Sequence, residues 1–539
     1  MNMFCYQCQE TGNGKGCTTQ GICGKTDETA NLQDLLIYLL QGMSFYALPL
    51  FHDKKTTDTE FLRKTGVFVA ECLFTTITNT NFDAERIIAL IEKALVQREM
   101  LRGLYLANAP AGTKLPDNAS WMPADRDEIF RKSLKVGVLD EQDADIRSVK
   151  ETITYGLKGL SAYAYHAATL GFYDDEIFHF TFGALNKVGL NTPMDELLEL
   201  LVETGAFNVA AMAVLDQANS ATYGNPEPTK VSTGIRNRPG ILVSGHDLKD
   251  LELLLKQSEG KDIDIYTNGE MILAQSLPYF KKFAHFAGNY GNAWWQQPEE
   301  FTKFNGPVLL TSNCIVPVEK GYAERIFTTS VAGYPGVPHI EEDGGTKDFS
   351  ALISLALRCL PPTPLNEPDF MSGFGHHFLH TAKDKVIDLI KKGKIKRFVA
   401  MGGCDGRDRA RAYYTEKALS LPEDTIILTA GCAKYRYIKQ MPGTIEGIPR
   451  VLDAGQCSDN YSFLVFARDL AASLGIKDLN ELPVEFDIAW YDQKAVAVLL
   501  SLVSLGIRNI KLGPTLPEFL TQYLIKKMAD KVTITTVTD

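Results

Sequence analysis

Six times along this chain a short apolar run reaches a small or polar residue and then a side chain able to bind a metal. Ile241–Ser244 leads through Gly245 to His246, and Ile263–Asn268 leads through Gly269 to Glu270. Val308–Asn313 leads to Cys314, Phe398–Gly403 to Cys404, Ile426–Gly431 to Cys432 and Val451–Gln456 to Cys457. Buried parallel strands read as short apolar runs, and open α/β sheets gather ligands beyond the carboxyl ends of their strands. The pattern asks for a fold in which six strand ends, drawn from residues 246–457, converge on one metal centre.

The organisation along the chain agrees with this demand. Asn31–Ala47, Glu60–Thr76, Phe82–Asn108, Ile146–Leu170, Asp175–Val188 and Pro193–Gln217 carry apolar residues at helical spacing. Loops such as Ala109–Asp117 separate them. After Tyr223–Pro228 the period changes, and from Pro239 short strand-like runs alternate with helical ones, as in βαβ units. A second break falls at Pro361-Pro362-Thr363-Pro364. The expected fold class is multidomain α and α/β: an N-terminal helical-bundle domain, then two α/β domains with mostly parallel sheets. The expected domains are residues 1–225, 226–368 and 369–539.

A length of 539 residues and ordinary hydrophobic content leave ample material for several cores. The net charge of −11 argues against nucleic acid or an anionic membrane as partner. Met1-Asn2-Met3-Phe4-Cys5 lacks the form of a secretory signal, and the apolar stretches Leu32–Leu40 and Ala495–Leu505 are too short to span a bilayer. Ten cysteines in such a chain suggest reduced thiols and metal ligands in a soluble, cytoplasmic protein.

Cys5, Cys8, Cys17 and Cys23 are spaced C-x2-C-x8-C-x5-C, with Gly12, Gly14, Gly16, Gly21 and Gly24 interleaved. Glycines permit the turns that wrap a loop around a cubane and aim N–H groups at its sulfurs. A structural zinc knot usually uses two tight pairs, so the x5 spacing favours an iron–sulfur cluster over zinc. In the second set, thiolates, an imidazole and a carboxylate together suit a cluster bridged partly by sulfide and partly by oxygen. Taken singly, these residues are bland: a His after a strand is more often a capping group, and Cys72 and Cys359 read as buried apolar volume.

Several segments carry a closer likeness. Phe4-Cys5-Tyr6-Gln7-Cys8-Gln9-Glu10-Thr11, Cys23-Gly24-Lys25, Ser244–Asp250, Gly288-Asn289-Tyr290-Gly291, Thr311-Ser312-Asn313-Cys314, Gly403-Cys404-Asp405-Gly406, Gly431–Arg436 and Asp453–Cys457 resemble the hybrid cluster protein family, also called hydroxylamine reductase. The likeness runs from the first ten residues to beyond Tyr491. It implies that Cys5, Cys8, Cys17 and Cys23 hold a [4Fe-4S] cluster, as in the short-spacing branch. It implies that His246, Glu270, Cys314, Cys404, Cys432 and Cys457 hold a hybrid [4Fe-2O-2S] cluster, with Cys404 at the persulfide position. Asp492 falls where the family has a ligating glutamate, one methylene longer, and Asn268 falls where a histidine is common. Lys494 stands where the family places a lysine against the hybrid cluster. Without the resemblance, Asp492 reads as a first-turn acidic residue of a helix Trp490–Leu505 and Lys494 as a surface ammonium.

The activity so implied is reduction of small nitrogen oxide species: hydroxylamine to ammonia and water, or nitric oxide to nitrous oxide. Glu270, Lys494 and Cys404 would be the catalytic residues, with Asp405 a further proton source by proximity. No G-x-G-x-x-G follows a predicted strand, so electrons are expected from a separate donor, ferredoxin-like or an NADH-linked reductase. The competing readings are a carbon monoxide dehydrogenase-like catalyst, a non-catalytic nitric oxide or redox sensor, and a zinc-stabilised scaffold.

Overall fold

The computed structural model describes residues 2–52, 58–107, 109–110, 112–529 and 532–537. The helix end expected at Asn108, Ala111 in the loop after it, and the termini Met1 and Asp539 lie outside these residues. The chain forms two compact units. One is Met1–Val214 with Asp492–Leu505 and Pro517–Asp530, and the other is Leu215–Tyr491 with Gly506–Leu516 and Lys531–Asp539.

The first unit is helical, as the spacing predicts. Its long helices are Asp27–His52, Thr59–Thr75, Ala84–Leu106, Ala144–Thr169 and Asp175–Val188, and Met194–Tyr223 carries the chain onward. Asp58, Asp83, Asp143 and Asp174 each accept a first-turn N–H, which is why these helices begin where they do. Short helices at Asp117–Ser120 and Arg126–Ser133 were not apparent from periodicity. Gln493–Ser504 also belongs to this unit and is buried almost along its whole length. It lies against glycines. A Cβ at Gly159 would stand 2.7 Å from Gln493 O, and one at Gly205 would stand 2.0 Å from Leu500 O.

Asp27–Phe51 and Met194–Tyr223 are long and apolar enough to cross a membrane, judged by length and composition alone. The stretch Leu32–Leu40 is thus part of a longer helix than its apolar run suggests. Of the apolar window in Asp27–Phe51, 56% is buried inside the protein. Leu32, Leu35, Leu36, Leu39, Leu40 and Met43 are fully buried there. That is the environment of a core helix.

The second unit holds two parallel sheets, each six-stranded among the described residues. The first runs Phe286–Asn289, Asp264–Asn268, Gly240–Ser244, Val308–Leu310, Ile326–Thr329, His339–Ile340. The second runs Val451–Asp453, Thr425–Thr429, Arg397–Gly403, Val484–Ala489, Asn509–Gly513, Thr533–Thr536. Every neighbouring pair is parallel. The expected fold class, helices followed by α/β segments with parallel sheets, is the one observed. In the first sheet the order reverses between Gly240–Ser244 and Val308–Leu310, and in the second between Arg397–Gly403 and Val484–Ala489. Such switch points open a crevice beyond the strand ends. His246 and Cys314 follow the two strands at the first switch point, and Cys404 follows one of those at the second.

Candidate functional site

The amino-terminal cysteines occupy a loop closed on itself. Cys5 and Cys17 pair as an antiparallel bridge, with Cys5 N donating to Cys17 O at 3.0 Å and Cys17 N to Cys5 O at 2.7 Å. Gly12 N–H points at Cys17 Sγ, 3.3 Å away. A Cβ on Gly21 would come within 2.9 Å of Cys23 Sγ, so a side chain there would press on the thiol. Cys8, Cys17 and Cys23 are buried and Cys5 is partly so. None of the four forms a disulfide. Burial pushes the Cys8 thiol well up, and the charges of Cys23, Cys5 and Cys17 push it further. Burial likewise raises Cys5 to about 11, against the pull of Lys25. Four sulfurs that repel one another as anions need a cationic core between them. A donor set of four thiols with an N–H aimed at sulfur fits an iron–sulfur cluster.

Gln7, between Cys5 and Cys8, anchors this loop. Its Nε2 donates to Thr76 O at 3.2 Å, and its backbone O accepts from Gln493 Nε2 at 2.5 Å. Gln493 in turn accepts from Thr78 N at 2.8 Å.

The second set is assembled at the strand ends. Gly245, Gly269, Gly403, Gly431 and Gly455 all have positive φ, and each stands one or two residues before an expected ligand. The requirement is clearest at Gly431, where φ is +87° and a Cβ would lie 2.7 Å from Cys457 Sγ and 2.5 Å from Gly403 O. At five of the six ligands, all but Cys314, a glycine is thus the device that turns the chain off the strand end. Cys432 is buried, which raises its thiol well above the usual range, and the charges of Glu270, Cys314 and Cys404 raise it further. These four side chains therefore share one electrostatic pocket.

His246 and Cys457 join through Glu270. His246 Nε2 lies 3.3 Å from Glu270 Oε2. Cys457 N donates to Glu270 Oε2 at 2.8 Å, and Cys457 Sγ to Oε1 at 3.3 Å. All six expected residues are thus brought into one region, from both sheets of the unit. Asp492 caps the helix that starts at Gln493, its Oδ1 accepting from Lys494 N at 2.9 Å. The helix begins later than the Trp490 start expected from sequence, because Trp490 and Tyr491 continue from the strand Val484–Ala489. Lys494 is buried, its Nζ 5.1 Å from the centre of the Phe74 ring, so it is no surface ammonium.

Several supporting residues escaped the sequence reading. Ser312 Oγ accepts the His246 backbone N–H at 2.9 Å and lies 3.0 Å from its Nδ1. Gln456 Nε2 donates to His246 O at 3.1 Å. The fully buried Arg411 donates to Cys404 O at 3.2 Å and to Trp490 O at 2.7 Å. Lys434 pairs with Asp453 at 2.5 Å, both fully buried, and donates to Gly455 O at 2.6 Å. Ser312, Lys434 and Asp453 stand inside the quoted motifs, but their residue types alone announce no role. Asp405 is committed as a strut: it accepts from Arg436 Nε at 2.7 Å and Trp295 Nε1 at 2.9 Å. Asn268 donates to Tyr290 O at 2.9 Å and Glu300 Oε2 at 3.0 Å.

Among the described residues, no three His, Cys, Asp or Glu side chains close around a single-ion position. The mixed sulfur, nitrogen and oxygen donors of the second unit fit a cluster with more than one kind of bridge.

Comparison with known proteins adds independent findings. The Prismane/CO dehydrogenase family matches residues 3–539. The hydroxylamine reductase of Halothermothrix orenii is 52% identical over 99% of this chain and 97% of its own length. That of Thermoanaerobacter pseudethanolicus is 51% identical over 100% of this chain and 98% of its own length. Among solved structures, carbon monoxide dehydrogenase IV from Carboxydothermus hydrogenoformans superposes with a TM-score of 0.54 at 16% identity, covering 97% of this chain and 87% of that one. At that identity the likeness is one of fold. A family match over nearly every residue and relatives alike along their full length leave one conclusion: the chain belongs to the Prismane/CO dehydrogenase family.

Proposed function

We propose that this chain is a soluble, cytoplasmic iron–sulfur oxidoreductase that reduces hydroxylamine to ammonia and water, with nitric oxide as an alternative small substrate. In this reading Cys5, Cys8, Cys17 and Cys23 hold a [4Fe-4S] cluster. His246, Glu270, Cys314, Cys404, Cys432 and Cys457 hold the hybrid cluster, to which the family likeness adds Asp492 and Lys494. When bound, the hybrid cluster supplies electrons and a Lewis-acidic iron for the substrate oxygen. Electrons reach the protein from a separate donor of the ferredoxin-like or NADH-linked class.

The chain's own residues have definable tasks. With its proton on Nδ1 facing Ser312 Oγ, the His246 ring keeps the Nε2 lone pair for a metal. The Cys457 backbone N–H fixes one Glu270 oxygen, while Cys457 Sγ–H supplies a proton to the other. A cation in the pocket displaces that proton, because thiolate and carboxylate are the ligating forms. Arg411 and the Lys434–Asp453 pair hold the turns that carry Cys404 and Cys432.

The observation that carries this reading is the convergence of Cys314, Cys404, Cys432 and Glu270, with His246 and Cys457 joined to Glu270, in a chain about half identical to proteins named hydroxylamine reductase. The test is anaerobic purification with iron, sulfide and nickel counts, EPR, and a comparison of hydroxylamine and nitric oxide turnover. Glu270→Ala and Cys432→Ala should each lose turnover and the hybrid cluster's EPR signals while keeping those of the other centre. Full activity in either variant, or stoichiometric nickel in the wild type, would overturn the assignment.

A further inference from the structure

A cavity of about 290 Å³, partly open to solvent, lies behind the cysteine loop of the helical unit. Its walls include Cys5, Gln7 and Lys25 from the loop, Asp34 from helix Asp27–His52, and Glu151 and Lys158 from helix Ala144–Thr169. Lys25 and Lys158 are buried, and the hydrogen-bond acceptors they reach are neutral. Lys25 Nζ meets Gln33 Oε1, and Lys158 Nζ meets Gln7 Oε1 at 2.7 Å and Thr76 O at 3.5 Å. Asp34 and Glu151 both line this space. Gly137 leaves Asp34 its room, since a Cβ there would stand 2.7 Å from Asp34 Oδ2. The remaining titratable lining is Tyr38, Asp140, Glu141, Arg147, Lys150 and Tyr155. Two of those cations are engaged with Glu141: Lys150 with its carboxylate at 3.1 Å and Arg147 with its backbone O at 2.7 Å.

We propose that Asp34 and Glu151 form a proton-accepting pair which, wherever it stands deprotonated, takes up one proton for each electron delivered to the centre held by Cys5, Cys8, Cys17 and Cys23. This rests on reading that loop as an iron–sulfur site. An electron placed beside Cys5 adds negative charge at one wall of this cavity, and the titratable groups lining it feel that charge. The pair sits in the same cavity, in reach of water. The electron comes from the external donor and the proton from cavity water. One carboxylate becomes a carboxylic acid, and no other bond changes.

Burial, with the nearby Glu151 charge, pushes the Asp34 carboxyl up to about 8 despite Lys158 and Lys25. Burial also raises Glu151. Burial and Lys25 together lower Lys158 to about 8, which makes it the rival proton acceptor. Below about 8 the pair already holds its proton in both redox states, so the potential is level. Above that, reduction draws the proton in, and the potential falls as pH rises.

The experiment uses anaerobically purified holoenzyme, with EPR-monitored redox titration of the amino-terminal centre from about pH 6 to about pH 10. The wild type should fall by about 59 mV per pH unit above the bend, a tenfold change in proton concentration converted at one electron. The Asp34→Asn/Glu151→Gln double variant should be level. A reduced-minus-oxidised infrared difference spectrum should show a carboxylic acid band that both single variants shift, which decides the matter if the double variant does not fold. A level wild type, a slope surviving in the double variant, or a slope lost only in Lys158→Met would overturn the pair. A holoenzyme without iron on that loop would instead remove the cluster reading itself.

Discussion

The imidazole of His246 is fixed at both its backbone and its ring by one hydroxyl, Ser312 Oγ. Partners of this kind set the tautomer of a ligating histidine, and their loss typically costs about 10–100-fold in metal affinity or activity. Ser312→Ala should therefore reduce hybrid-cluster occupancy and turnover by roughly that factor, and Ser312→Thr, which keeps a hydroxyl, should retain most of both. Iron counts and steady-state assays decide it, and an Ala variant as active as wild type would make Ser312 a bystander. The expected ligands themselves were legible because each ends an apolar run; Ser312 was not, because a serine beside a ligand has many uses. Asn268 was legible only as a departure. Its role as a bridge from Ser244 Oγ to Tyr290 and Glu300 needed the neighbouring strands in place.

At the scale of single elements, period reveals helices but not what they touch. Asp175–Val188 has the bounds its spacing predicts, yet the glycines inside Ala144–Thr169 and Met194–Tyr223 read only as weak spots in a helix. They exist for close approach. Gly205→Ala drives a methyl to 2.0 Å from Leu500 O, a backbone atom that cannot rotate away. The variant should lose about 1–3 kcal/mol, the usual cost of overpacking, or more, read as a lower denaturation midpoint. Gly103→Ala, where a Cβ meets nothing within 4 Å, should be neutral or mildly stabilising. Helix Leu248–Ser258 offers a pH test. Burial would raise the Glu252 carboxyl, but hydrogen bonds from Lys256, Lys249 and Tyr279 outweigh it and hold it at about 2. A depressed carboxyl contributes stability above its unfolded pKa, and that stability is lost as pH falls through the folded one. Glu252→Gln should thus cost about 3 kcal/mol at neutral pH, and the gap from wild type should close as pH drops from 4.5 to about 2. A pH-independent gap in denaturant melts would assign the loss to packing instead.

For the whole molecule, the question is how far the fold depends on the centres it builds. In small metallo-domains, binding energy is folding energy. Here each unit has its own apolar core. Leu32, Leu35, Leu36 and Leu39 are fully buried in one, and Ile241, Val243, Phe398 and Ile427 in the other. The cysteine loop is different: apart from Tyr6, which packs on Tyr155 and Phe519, its buried cluster is the small set Met3, Cys17 and Ala30. Anaerobic removal of iron should therefore leave far-UV dichroism nearly unchanged. Hydrogen exchange should rise in residues 2–24 and in the turns Cys432–Arg436 and Cys457–Asp459, while the strands before them stay protected. The two responses should also separate. Cys8→Ala should expose only residues 2–24, and Cys432→Ala only the strand-end turns, because Cys8 and Cys432 lie in different compact units. Loss of protection throughout either unit would mean that its metal centre, rather than its apolar core, holds the fold together.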